Sequence, residues 1–372
     1  MGTINIAWWN LQNFFDTDDD PISKDFAYTA EAGWTQEVFE AKKANLANAL
    51  NALHDGAGPE LLTVAEIEKD ALLAELIAEM GNPHLKVVED PAGTSDLRGI
   101  DVAMAYDERK LSVRSKSSHL VHLRYRTRDI FEVVFEVNET GEKLVVIAGH
   151  WPSRGLGRYR SEPLRCAVAE HVAYLAEAHV KVEPEVYEQL RAQNDLDTVM
   201  RTWETKVIVV GDLNDEPSDR SLVDHLRASN DLDRVIGRTN DIDGFETETA
   251  DYRGQEVFLF NTTWKFLPQQ QVGTYFLDAL RSGEKFANRY QVLDQLIASR
   301  GLLTGSGLTL DLDSVDIFRD SLVATASGRP RGFSKSTRKG TSDHLPLTAV
   351  LRFGNVGRRV TAADRVIVMR ED

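Results

Sequence analysis

Asp212 and Asn214 flank Leu213 at the end of an apolar run, Val207 to Val210, in the stretch KVIVVGDLNDEP. A continuous β-branched run of this kind marks a strand buried on both faces, and Gly211 breaks it. In extended backbone, residues two apart share a side. A carboxylate and a carboxamide would then project together from the end of a buried strand, where α/β proteins place their chemistry. A strand closing in an Asx-type turn would use the same residues, because Asp and Asn favour such turns. Polar residues also close other strand-like runs. Asn10 ends Thr3 to Trp9, Glu66 ends Glu60 to Ala65, His150 follows Lys143 to Ala148, and Asp343 with His344 precedes Leu345 to Phe353. Asp294 interrupts the apolar run VLDQLIA. Taken singly, each has an ordinary structural reading: a turn residue for Asn10, a helix start for Glu66, satisfied core histidines for His150 and His344, an N-cap for Asp343. Their recurrence at strand ends points instead to one convergent site. Carboxylates and carboxamides gathered in one place are the oxygen types that a hard cation prefers, and carboxylates and histidines together can move a proton and steady developing charge.

Those strands need helices and turns to bring their ends together. Helical spacing of Val38, Ala41, Leu46, Leu50 and Leu53 predicts a helix from Glu37 to Leu53, stopped by Gly56 to Pro59. A second helix covers Lys69 to Met80. Strands follow at His84 to Glu89, Ile100 to Tyr106, Leu111 to His122, Ile130 to Val137 and Lys143 to Ala148. That is a meander rather than strict strand–helix alternation, so a mixed sheet is expected. A long helical region runs from about residue 162 to 205, broken near Pro184, and a helix is expected near Arg220 to Ala228. Residues 230–266 are polar and turn-rich and read as surface elaboration. Tyr290 to Ser299 reads as one strand carrying Asp294. No internal repeat and no low-complexity linker divides the chain, so residues 1–372 read as a single domain.

The net charge of −16 argues against broad coating of nucleic acid, which needs a basic face. It leaves room for a nuclease, because metal ions held by carboxylates invert the local charge. The basic residues are clustered: Arg124, Arg126 and Arg128; Arg154, Arg158, Arg160 and Arg165; and Arg329, Arg331, Lys335, Arg338 and Lys339 in the loop entering Asp343. Each cluster reads either as a solvated face or as a set of phosphate contacts. A lone cysteine, Cys166, excludes an internal disulfide and suits a reducing compartment. With no signal-like leader and no apolar run near ~20 residues, the expectation is a cytoplasmic protein without a membrane span.

The order WN…EIE…GHW…GDLND…DQLIAS…SDH, from Trp9 to His344, resembles the endonuclease/exonuclease/phosphatase superfamily, the DNase I-like fold. GDLN stands for the usual GDFN, and SDH follows a basic loop; AEIE departs from the commoner QE, and GHWPSR from the plain NxH pattern. The resemblance implies an α/β fold, a four-layered α/β sandwich with two mixed β-sheets packed face to face and helices outside. It implies a metal site at Asn10, Glu66 and Asp343, with Mg²⁺ as the cofactor and Mn²⁺ as its substitute. Asp212 and Asn214 match the pair that holds the nucleophilic water and the phosphate. His344 matches the active-site histidine and Asp294 its orienting carboxylate. His150 matches a second histidine, and Asp101, in RGIDVA, a residue that orients it. Arg154, Lys335, Arg338 and Lys339 are the candidate substrate contacts. The implied activity is divalent-metal-dependent phosphodiester hydrolysis, by a nuclease on DNA or RNA. A phosphatase or phosphodiesterase for a small phosphorylated ligand is the alternative, and a non-catalytic binding module is least favoured because no motif member is missing. The partner is the nucleic acid or other phosphoester itself, and no protein partner is implied.

Overall fold

The computed structural model describes residues 2–19, 23–90, 92–93, 96–124, 127–236, 257–278, 288–304 and 307–353. In chain order, β1 (Gly2–Phe14) leads through α1 (Gln36–Ala52) to β2 (Leu61–Ile67) and α2 (Asp70–Met80). Then come β3 (Leu85–Val88), β4 (Asp101–Asp107), β5 (Leu111–His119), β6 (Ile130–Val137) and β7 (Lys143–His150). Three helices follow, α3 (Arg158–Val180), α4 (Pro184–Ala192) and α5 (Leu196–Trp203). The rest is β8 (Lys206–Asp212), β9 (Ala228–Ser229), β10 (Leu259–Asn261), β11 (Tyr275–Phe276), β12 (Tyr290–Gln291), β13 (Asp294–Ala298), β14 (Thr309–Ile317) and β15 (Leu347–Phe353).

The strands form two large mixed sheets, ordered β14-β15-β1-β2-β4-β3 and β5-β6-β7-β8-β13-β10-β9, plus the β11-β12 hairpin. Each sheet has one parallel pair near its middle: β1 with β2, and β7 with β8. Such strands end side by side at the same edge, which is where Asn10 and Glu66 emerge from one sheet and His150 and Asp212 from the other. The sheets face each other, with β1 against β8 and β13 and β4 against β6 and β7. One apolar cluster fills the space between them and extends under α1 and α2, and a second lies between the outer sheet face and α3. This is the four-layered sandwich expected from the sequence. Among the described residues no helix is long and apolar enough to cross a membrane.

Local chemistry accounts for the boundaries. Gly81 ends α2 in the left-handed region at φ 73°, which a residue without Cβ adopts cheaply. On α1 the buried stripe runs Val38, Lys42, Leu46, Leu50, so a lysine occupies a position an apolar residue would normally take. The long helical region is three helices, with Pro184 at the first turn of α4, where its missing N–H costs nothing.

Several expectations are corrected. The strand foreseen over Tyr290 to Ser299 is two, because the chain leaves its pairing with β11 and joins β8. Thr274 Oγ1 accepts from the N–H groups of Leu293 and Asp294 at that switch, at 3.1 and 3.0 Å. The helix foreseen near Arg220 to Ala228 is a single wide turn, Ser221–His225. Residues 237–256 of the stretch read as surface elaboration, and the tail from 354, lie outside the described residues. Its end is not surface: Leu259 and Phe260 are buried in β10, next to β13. β14, whose alternation is half acidic, carried no strand expectation.

Candidate active site

Backbone pairing places His150, Asp212 and Asp294 in one row. His150 pairs with Asp212 across the parallel β7–β8 ladder, and Asp212 with Asp294 across the antiparallel β8–β13 ladder. Paired residues share a face, so the three side chains stand together at the inner edge of the second sheet. The opposite sheet meets them with Trp8 and Asn10. Asn10 Nδ2 donates to Asp212 Oδ2 at 3.2 Å, and Trp8 Nε1 to Asp294 Oδ1 at 2.7 Å.

Asp212 is the focus. Its Oδ2 lies 3.5 Å from His150 Nε2 and 3.8 Å from His344 Nε2, besides the bond from Asn10. Its Oδ1 accepts the backbone N–H of Asn214 at 3.0 Å. That is an Asx turn, and Asn214 sits in it at φ 53°, so the two side chains do not project together as extended residues would. Asn214 instead donates from Nδ2 to the carbonyl of Trp151 at 3.1 Å. The turn reading therefore holds for this segment, and the same turn sets Asp212 beside both histidines. Burial, above all, pushes the Asp212 carboxyl up to about 7; Asp294 and Glu66 add to that, while His344 and the Asn214 N–H oppose it.

The two histidines differ in charge. Burial works against the charged form of His344, but Asp294 and Asp212 outweigh it and hold the imidazolium well above the usual range. The contact responsible is His344 Nδ1 to Asp294 Oδ2 at 2.7 Å, the pairing the sequence predicts. The ring packs against Tyr275 at 4.9 Å between centroids, and the His344 carbonyl accepts from Trp9 Nε1 at 2.9 Å. His150 is driven the other way, well below the usual range, by burial and then by Arg128, Arg98 and His344. It is a neutral imidazole beside a cationic one.

Glu66 and Asp343 supply the remaining carboxylates. Glu66 stands at φ 57°, its Oε2 accepting the N–H of Asn13 at 2.9 Å and its Oε1 3.8 Å from His150 Nε2. Burial first, then Glu66, raises the Asp343 carboxyl against the pull of His344 and Lys42. Acids that repel each other in a buried place are a donor set that a hard cation relieves. Asp212, Asp294 and His344 also have ligand atoms within 4.8 Å of one another. Both Asp294 oxygens, however, already accept, from Trp8 and from His344. Glu66 and Asp343 are thus the better-fitting pair.

Other expected residues lie elsewhere or face inward. Among the described residues no hydrogen bond joins Asp101 to His150: His150 Nδ1 has no partner, Asp101 Oδ1 accepts the N–H of Val102, and burial, with Asp90, Asp129 and Asp70 nearby, raises the Asp101 carboxyl well above the usual range. Arg154 turns inward to Asp215 and Asp219 at 3.1 and 2.5 Å, and its Nε donates to the Asn214 carbonyl at 2.6 Å. It braces the Asx turn. Arg338 pairs with Glu37 at 2.7 Å, and Lys335 donates to the carbonyls of Ala27 and Ala32 at 2.9 and 3.3 Å. Lys339 is exposed. Arg126 lies outside the described residues.

Some contributors escaped the sequence. Arg128, read only as part of a basic cluster, is buried and donates to the carbonyls of His150 and Trp151 at 3.0 and 2.7 Å. Asp215 ties the same loop to Ser221 Oγ and Arg165, at 2.6 and 2.7 Å. The only local signal for Asp215 is its place in GDLNDEPSD.

Comparison with known proteins bears on the family and the fold. The Endonuclease/Exonuclease/phosphatase family matches residues 5–289. No curated protein matches the chain. Among solved structures, an endonuclease/exonuclease/phosphatase family protein from Bacteroides thetaiotaomicron superposes with a TM-score of 0.50 at 12% identity, covering 95% of this chain and 98% of its own. A D. rerio TDP2 humanized by 14 mutations gives a TM-score of 0.50 at 12% identity, over 94% of this chain and 99% of its own. At such identity these two speak for the fold. The family match spans most of the chain: the protein belongs to the Endonuclease/Exonuclease/phosphatase family.

Proposed function

We propose that the protein is a phosphodiester hydrolase that uses a divalent cation, Mg²⁺ with Mn²⁺ as a substitute, and that its substrate is a nucleic acid. The observation that carries this reading is the convergence of Asn10, His150 and His344 on one oxygen of Asp212, beside the acids Glu66 and Asp343. Phosphodiesters resist attack because their oxygens are anionic and the alkoxide leaves poorly. A cation on Glu66 and Asp343, with Asn10 beside them, would neutralise charge on both. Asp212 accepts the proton of the attacking water at Oδ2, oriented by the Asn10 amide and the Asn214 N–H. His344, kept cationic by Asp294, faces the charge that grows on the phosphoryl oxygens. Neutral His150 can donate from Nε2 to a phosphate or leaving oxygen. Arg128 and Arg154 hold the carbonyls of His150, Trp151 and Asn214, so the polar edge does not collapse into Asp212.

The test is hydrolysis of a panel of nucleic acids and small phosphoesters with and without Mg²⁺ or Mn²⁺. No turnover of any phosphodiester with either ion would reject the proposal. Glu66→Gln should fold, as far-UV circular dichroism will report, yet bind Mg²⁺ at least about 100-fold more weakly by calorimetry, the upper end of the loss when only the groups behind a metal ligand are altered.

A specific observation favours the small phosphorylated ligand as the second reading. Arg338 and Lys335 are already engaged within the protein, so the basic loop offers less free charge than its sequence suggests. Salt dependence separates the two. If the polymer is the substrate, Lys339→Ala should lower the log–log salt slope of nucleic-acid binding by about one, the loss of one phosphate contact. A slope near zero in the unaltered protein would favour the small ligand.

A further inference from the structure

The lysine on the buried stripe of α1 carries no step in the chemistry above; burial lowers its pKa to about 7, against the pull of Asp343 and Glu66. Lys42 is 1% exposed, among apolar neighbours four residues away on either side. A leucine or methionine would pack there at no electrostatic cost, whereas a buried ammonium needs partners. Its hydrogen bonds go to backbone rather than to a carboxylate: Nζ donates to the Gln12 carbonyl in a short bond and to the Asn13 carbonyl at 3.4 Å. The rings of Trp34 and Phe333 close over it at 5.8 and 5.2 Å.

Gln12 and Asn13 are unusual in their own right. Both lie in the left-handed region, at φ 54° and 57°, which side-chain-bearing residues seldom adopt without support. They form the irregularity that breaks the β1–β2 register between Asn10 and Phe14. The turned peptides send their N–H groups one way and their carbonyls the other. Gln12 N–H reaches Asn10 Oδ1 at 2.9 Å, and Asn13 N–H reaches Glu66 Oε2 at 2.9 Å. Gln12 Oε1 also accepts the N–H of Phe333 at 2.7 Å, at the base of the loop leading to Asp343.

We propose that Lys42 is a positioning residue for the cation site: by holding the Gln12 and Asn13 carbonyls it fixes a left-handed bulge whose N–H groups aim Asn10 and Glu66. The proposal rests on Glu66 being a cation ligand, which Glu66→Gln tests separately. Lys42 itself touches neither substrate nor cation.

The experiment uses the full chain and reads Mg²⁺ affinity by calorimetry without substrate, then KM and kcat with it. Lys42→Met should weaken Mg²⁺ binding about 10- to 100-fold and lower kcat at subsaturating Mg²⁺, with KM for substrate within about twofold. The double variant Lys42→Met with Asn13→Gly should recover at least half of the lost affinity on a logarithmic scale, because glycine adopts the left-handed region unaided. A residue that merely fills the core would show no such rescue, since the two changes would add. Wild-type Mg²⁺ affinity in a folded Lys42→Met protein overturns the proposal, as does strict additivity. If Lys42→Met alone fails to fold, the double variant decides: folding with restored Mg²⁺ binding supports the bulge-holding role, and failure to fold rejects it. A loss of Mg²⁺ binding in Lys42→Met while Glu66→Gln binds normally would reject the ligand assignment rather than the clamp.

Discussion

Asp212→Asn is expected to lower kcat by about 10²- to 10⁴-fold, the usual worth of a positioned general base, while making the protein more stable at pH 8. Both effects have one origin. The Asp212 carboxyl is pushed up to about 7, first by burial and then by Asp294 and Glu66, against His344 and the Asn214 N–H. In an unfolded chain an aspartate titrates near 4. The folded protein therefore binds this proton more tightly than the unfolded chain does. Its contribution to stability is fully present below about pH 4 and is lost as pH rises through about 7. Above that, the buried carboxylate weighs against the fold, and asparagine lacks the charge. The melting temperature of Asp212→Asn should exceed that of the unaltered protein at pH 8, with the difference shrinking toward pH 4. The acid limb of the kcat profile should lie at or below about 7, since a bound cation favours the carboxylate, and it should vanish in the variant. Turnover within tenfold of normal, with the limb intact, would remove Asp212 from the base role.

Asp294→Asn is expected to cost about 10³- to 10⁴-fold in kcat, comparable with removing the carboxylate behind the histidine of a Ser–His–Asp triad. Asp294 accepts from both Trp8 Nε1 and His344 Nδ1 at 2.7 Å. An asparagine has only one accepting oxygen, so one of the two donors must face an N–H. A buried donor left without its acceptor costs about 1–3 kcal/mol, and the variant should melt lower accordingly. With the carboxylate gone, the His344 imidazolium loses its chief counter-charge, and its titration should move down toward the ordinary range for histidine. Proton NMR of the imidazole measures this directly. An unmoved His344 titration alongside a lost kcat would mean that Asp294 acts by some route other than holding the charge.

The positions of the candidate site were legible because they stand where strong local patterns end. A β-branched run followed by Gly-Asp-Leu-Asn is a statement about neighbours in sequence, and so is a histidine at the close of LVVIAGH. The sheet ladders then brought Asp212, His150 and Asp294 together without further information. The supports were not legible, because they depend on partners far away in the chain. Lys42 and Lys43 look alike in sequence, yet one ends under Trp34 against carbonyls of β1 and the other pairs with Glu40 and Glu75. Arg128 and Arg154 sat in basic clusters that suggested phosphate contacts, and both turn inward instead. Charge runs report that arginines are near one another, not which way each one points. Asp101 is hard to read for the same reason: RGIDVA shows a carboxylate at a strand start but not which group its side chain bonds. The break between β12 and β13 was hidden because each half has a strand-like composition, and only a change of pairing partner separates them.

The pairing of β1 with β15 has a consequence for biosynthesis. Gly2 lies opposite Phe353, and Trp9 Nε1 donates to the carbonyl of His344. The first strand made can pair with β2 early, but it gains its other neighbour only when almost the last described residue has left the ribosome. Closing a loop that long costs entropy that local contacts cannot offset early, so the topology folds late. Asn10 and His344, from opposite ends of the polypeptide, cannot meet before then. A chain still being translated, or one released before β15 is made, therefore holds no assembled centre, and the site comes into being only with the completed sheet.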